Sequence, residues 1–165
     1  MKPKKKFTAV LTPGFLFLFL SALAACSSLV SYRGQTANPQ NRLALQEGQH
    51  KGVWSTDDLS IEYSYLRNSN NLRLSGQVEL SNALKDVSDV VANFLLQVVF
   101  LNADGLALGT ETLVNTGFAE PITQWQFDQT YVMPANTAAM AFSYTGQMGI
   151  HPLRGATQQF WHDPF

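Results

Sequence analysis

The chain has one cysteine in 165 residues, Cys26. No disulfide can close within it, so any folded part must be held by packing and hydrogen bonds. Charge is scarce, with 14% Asp, Glu, Lys and Arg, which leaves little raw material for a polar active site. The three histidines, His50, His151 and His162, do not recur at spacings that put two on one helix or strand face. No pair of cysteines accompanies them, so no metal-ligand set is expected. A Gly-x-Ser-x-Gly elbow, a phosphate-cradling glycine loop and a calcium-loop pattern are all missing. The acidic pairs Asp57-Asp58 and Asp86/Asp89 lie in turn-like surroundings with no basic or aromatic cleft legible nearby, so glycosidase chemistry has no support beyond residue type. No repeat of fixed period appears, which excludes a propeller or solenoid.

What is present begins at the N-terminus. Lys2, Lys4, Lys5 and Lys6 form a cationic start, and residues 15–20 are an unbroken apolar run. That run is short for a membrane span and Pro13-Gly14 precedes it, so it reads as the core of a secretory signal. Leu23-Ala24-Ala25-Cys26 follows at the distance expected of a cleavage box. Together these residues resemble the type II signal peptide of bacterial lipoproteins. The resemblance implies cleavage between Ala25 and Cys26, a diacylglyceryl thioether on the Cys26 sulfur, and acylation of the new N-terminus by a chain such as palmitate. At about 0.8 kcal/mol per buried CH₂, two or three chains make an effectively permanent anchor. Ser27 follows the cysteine. In Gram-negative bacteria a residue other than Asp there implies export to the outer membrane, facing the periplasm or the cell surface.

Loss of residues 1–25 leaves 140 residues with seven Lys+Arg against twelve Asp+Glu, a formal charge of −5. That is enough chain for one domain with a real core. Its acidic balance argues against nucleic acid as a partner. Residues 26–50 are rich in Ser, Gly, Gln and Asn and read as a lipidated start and flexible linker.

From residue 51 the texture becomes all-β. Alternating runs predict strands at 59–66, 72–80, 106–114, 122–131 and 138–144, while 94–101 is apolar on both faces and reads as a central strand covered on each side. Asn68-Ser69-Asn70-Asn71 and Asn102-Ala103-Asp104-Gly105 are hairpin turns by composition. Residues 83–93 read as a loop with a short helical turn at most. The expected class is an immunoglobulin-like or fibronectin-III-like antiparallel β-sandwich over residues 51–149, followed by an aromatic tail, 150–165. Leu74-x-Gly76-x-Val78, the apolar strand 94–100, the Asp-Gly hairpin and Leu108-Gly109-Thr110 resemble the Ig-like FxLYD type of bacterial domain, over residues 72–144. The family's Tyr-Asp before the hairpin glycine is replaced here by Leu101-Asn102-Ala103. The resemblance implies the fold and brings no catalytic residue.

The expectation for function is therefore a non-enzymatic lipoprotein of the cell envelope, without cofactor beyond its covalent lipid. It would be held at a membrane through Cys26 and bind another envelope protein. Phe160, Trp161 and Phe165 in the tail are the candidate partner contacts, because exposed aromatics in a polar segment either dock on their own domain or await a partner. The competing expectation is a saccharide- or peptide-binding module, or a hydrolase, with its ligand near Trp54, Trp125 or Trp161. Composition leaves the oligomeric state open.

Overall fold

A computed structural model describes residues 32–117, 120–122, 124–149 and 157–165. They form an antiparallel β-sandwich, the class expected from the alternation. The strands are β1 (Leu43–Ala44), β2 (Gly48–Ser55), β3 (Leu59–Asn68), β4 (Asn71–Leu80), β5 (Val90–Leu101), β6 (Ala107–Asn115), β7 (Glu120–Pro121), β8 (Trp125–Val132), β9 (Ala139–Met148) and β10 (Gln159–His162). One sheet has the order β2-β3-β4-β8. The other has β1-β9-β5-β6, with β10 also on β9 and β7 on β5. Leu59, Ile61, Leu72, Leu74 and Val78 of the first sheet face Phe94, Leu96, Val98, Met140 and Phe142 of the second in one buried core. At roughly 1.5–3 kcal/mol for each large apolar side chain taken from water, this core is the main source of stability in a chain without disulfides.

The turns are made as their residues dictate. Asn68 pairs with Asn71 across a two-residue loop in which Ser69 takes φ 55°. At the second hairpin Asn102 Oδ1 accepts from the backbone N–H groups of Asp104 and Leu106 (3.0 and 2.8 Å), and Gly105 adopts φ 87°. Between β4 and β5 the chain makes one helical turn, Asn82–Lys85, capped by the Ser81 hydroxyl and pinned by buried Leu84.

Three inner-face glycines each lie directly across the ladder from an aromatic residue: Gly52 from Tyr63, Gly76 from Phe127, Gly146 from Phe160. Each ring lies over the bare backbone of its partner. A Cβ on Gly76 would stand 2.6 Å from the Phe127 ring and 2.5 Å from the Glu62 carbonyl oxygen.

The domain is larger than the sequence suggests at both ends. The described residues from Tyr32 onward belong to the compact fold, so the flexible-linker expectation for 26–50 is corrected over 32–50. Gly34 N–H donates to the Ala107 carbonyl, Ala37 N–H to that of Gly105, and Leu45 N–H to that of Ala138. Arg67 donates to the carbonyls of Leu45 (2.9 Å) and Thr137 (3.2 Å), stitching this segment to β3. The physical reason lies on the outer face of the β5 sheet, where Val99, Leu101, Ala107, Ala139 and Ala141 form a second apolar cluster. Small side chains leave a trough there, and Tyr32 and Ala37 fill it. The covering expected on both sides of β5 is thus supplied on the outside by the segment read as a linker.

The aromatic tail is likewise partly built in. Gln159–His162 adds to β9, Asn38 N–H donates to the Pro164 carbonyl (2.8 Å), and Phe165 stacks on Tyr32 with ring centroids 4.9 Å apart. Residues 1–31 and 150–156, which include Ala25, Cys26 and His151, lie outside the described residues.

Candidate functional site

Strand β10 and the outer face it borders carry the aromatic residues singled out in the sequence. Its alternation divides them. Phe160 is 2% exposed and sits in the core against Phe94, Tyr144 and Gly146. Trp161 pairs with Thr145, points the other way and is 68% exposed. Phe165 is occupied by Tyr32. Of the three residues expected to contact a partner, Phe160 and Phe165 are therefore engaged within the domain and Trp161 alone is presented. The remaining tryptophans are internal: Trp125 is buried and stacked on Phe94 (4.7 Å), and Trp54 is half-buried beside Phe142 and His162. Buried Trp125 offers no ligand surface and Trp54 is packed against Phe142 and His162, so Trp161 is the most exposed of the three tryptophans that the competing aromatic-site reading named.

Trp161 forms one wall of a groove of about 540 Å³ on the outer face, lined also by Asn93, Thr145, Gln147 and Gln159. The Asn93 and Gln147 amides hydrogen-bond at 3.4 Å. All these groups are uncharged. The groove can offer amide donors and acceptors beside an indole, and none of its lining side chains is a nucleophile paired with a base. A second, shallow concavity of about 660 Å³ lies on the outer face of the β2-β3-β4-β8 sheet. Lys51, Glu62, Gln77 and Gln126 surround a central Ser64–Ser75 hydroxyl pair at 2.9 Å there.

The densest titratable cluster lies on the inner side of β10. Tyr144 OH donates to Asp58 Oδ2 (2.9 Å) and shares a hydrogen bond with Thr56 Oγ1 (2.7 Å). The His162 ring is held between Trp54 and Tyr144, at 5.1 and 5.9 Å, and its Nε2 has no hydrogen-bond partner among the described residues. Burial pushes the His162 pKa down, against the opposing pull of Asp163 and Asp58. Burial raises that of Tyr144, and Asp58 adds to the rise. Thr56, Tyr144 and Asp58 satisfy one another, while His162 is stacked. The arrangement locks β10 and the 56–58 turn together, and it does not align a base on a nucleophile. Asp57-Asp58 proves to be part of this turn. His50 stacks on Tyr65 and bonds the Glu47 carbonyl through Nε2.

Among the described residues no group of three or more His, Cys, Asp or Glu is placed to hold a metal ion, and no helix is long and apolar enough to cross a membrane. The sequence reading missed β1, β2, β7, β10 and the docking of Tyr32. The alternation of Gln159, Phe160, Trp161 and His162 was a usable signal for β10, whereas Tyr32 stands alone in polar sequence and gave none. Comparison of the chain with protein-family models, curated proteins and solved structures finds no match.

Proposed function

We propose that this chain is a lipid-anchored protein of the bacterial cell envelope, held in the outer membrane through acylated Cys26. In this reading it acts without catalysis by binding another envelope protein. The observation that carries the reading is the N-terminal series of Lys2 to Lys6, the apolar run 15–20 and Leu23-Ala24-Ala25-Cys26. A non-enzymatic role is supported by the mutual hydrogen bonding of Thr56, Tyr144 and Asp58, beside which His162 is stacked between aromatic rings and set against no nucleophile. A binding role is supported by β2, which ends its sheet in the strand order and carries exposed Val53 on its outer face. An edge of eight residues that no other strand among the described residues pairs suits addition of a partner strand.

Cys26→Ser tests the anchor: the variant protein should leave the membrane fraction while keeping its β-rich circular dichroism spectrum. Retention in the membrane would refute anchoring through this sulfur. Cross-linking in cells followed by purification tests the partner, and recovery of the monomer alone across growth states would refute it. A second reading, saccharide binding, is favoured by the exposed Trp161 beside amide side chains. It predicts quenching or a blue shift of tryptophan emission on titration with glycan fragments, abolished by Trp161→Ala.

A further inference from the structure

We infer that Trp161 and its uncharged groove rest on the headgroup region of the same bilayer that holds Cys26. The domain would then lie against the membrane with the outer face of the β5 sheet, and would not hang from it on a long tether. The inference rests on the lipoprotein reading and deepens it.

Three observations carry it. First, Cys26 stands close in sequence to the domain. Tyr32 is pinned, its hydroxyl 2.8 Å from Ser143 Oγ and its ring stacked on Phe165. Cys26 precedes it by only six residues. Six residues reach at most about 20 Å even when fully extended. A domain of this length has a radius of gyration of roughly 14 Å, so its diameter exceeds that reach. An acylated Cys26 therefore keeps the Tyr32 face toward the bilayer, because the opposite face could not be turned to it.

Second, Trp161 is on that face and close to the attachment point. Ser143, which anchors Tyr32, and Thr145, which pairs with Trp161, are alternate residues of β9 on the same side of the sheet. They stand about 7 Å apart at the rise of a strand. Third, the chemistry suits a headgroup layer. Indole rings favour the membrane–water interface, where an apolar body and an N–H donor are both accommodated. Asn93, Thr145, Gln147 and Gln159 add neutral hydrogen-bonding groups and no charge. Exposed Asp163 lies two residues beyond Trp161, and the excess of acidic residues opposes anionic lipid, so a zwitterionic headgroup is the fitting occupant.

The test uses the mature acylated protein in phosphatidylethanolamine–phosphatidylcholine vesicles. Trp161 emission is obtained as the difference from Trp161→Phe, which keeps Trp54 and Trp125. The expected result is a fall of at least about threefold in iodide quenching relative to the unanchored Cys26→Ser protein, together with quenching by lipids labelled near the headgroup. Inserting twenty Gly/Ser residues after Ser28 should restore iodide access. Equal quenching of anchored and unanchored Trp161, in protein whose mass confirms acylation, overturns the inference and leaves the lipoprotein reading standing. Absence of acylation overturns that reading first. Protection of Trp161 in the unanchored protein by a muropeptide or oligosaccharide, with no protection by vesicles in the anchored one, overturns the inference in favour of a saccharide site.

Discussion

Gly76 and Gly146 show how single residues set the shape of this sandwich. Each leaves a gap in the inner face that an aromatic ring from the neighbouring strand closes, Phe127 in one case and Phe160 in the other. A methyl group at Gly76 meets both a ring and a main-chain carbonyl, and the carbonyl cannot swing aside. Gly76→Ala should destabilise the domain by about 1–3 kcal/mol, seen as a lower urea midpoint with unchanged slope. Titration acts at the same scale. His162 has its pKa lowered by burial from the ordinary 6.5, so the unfolded chain binds its proton first. Stability should be full above about pH 6.5 and decline as pH falls through the lowered folded value. At the alkaline end burial pushes Tyr131 up to about 12. Its neutral phenol donates to the Thr112 carbonyl, so stability should hold to about pH 10 and fall as pH rises toward 12. Denaturation midpoints across pH for the native protein and His162→Phe check the acid limb, which should flatten in the variant.

At the scale of elements, the two ends of the chain are part of the fold. Phe160→Ala should cost about 3–5 kcal/mol, since it removes a buried ring from a site that also lacks a side chain at Gly146. Removing residues 26–50, the stretch that composition marks as a linker, should cost at least about 3 kcal/mol through loss of Tyr32, Ala37 and Leu45 from apolar surroundings. Thermal unfolding of the truncated domain checks this, and an unchanged midpoint would contradict it. These elements also mark how far the sequence could be read. Strands β3 and β4 were legible because Leu59, Ile61, Leu72, Leu74 and their neighbours alternate without interruption, β5 because residues 94–101 are apolar on both faces, and the Asn102–Gly105 turn because Asn and Gly are what such a turn requires. The segment 32–47 was not legible. It is held by backbone hydrogen bonds and by isolated side chains that fit a trough of alanines, and neither has a period. Trp161 could be named from sequence as an aromatic in a polar tail. That Phe160 turns inward and Trp161 outward follows only from the pairing of β10 with β9.

At the scale of the whole molecule, the proposed lipid site lies close in sequence to the sandwich, with Cys26 six residues before Tyr32. If Cys26 is the anchor, only five residues, 27–31, separate it from the described fold, where composition suggests a linker of some twenty. Under the proposed anchoring the protein would be a membrane-apposed body with its β2-β3-β4-β8 sheet turned away from the lipid. The free edge of β2 and the Ser64–Ser75 concavity then face the compartment in which a partner would be met. A Val53→Lys substitution at that edge should weaken cross-linking to the partner while leaving membrane attachment and the unfolding midpoint within about 0.5 kcal/mol of the native values.

All of this depends on the chemistry at one sulfur. Mass spectrometry of the N-terminal peptide from the membrane-derived protein addresses it most directly. The account predicts a chain beginning at Cys26, with diacylglyceryl on the sulfur and an acyl group on the α-amine. An unmodified cysteine, or a mature start at any other residue, would contradict it.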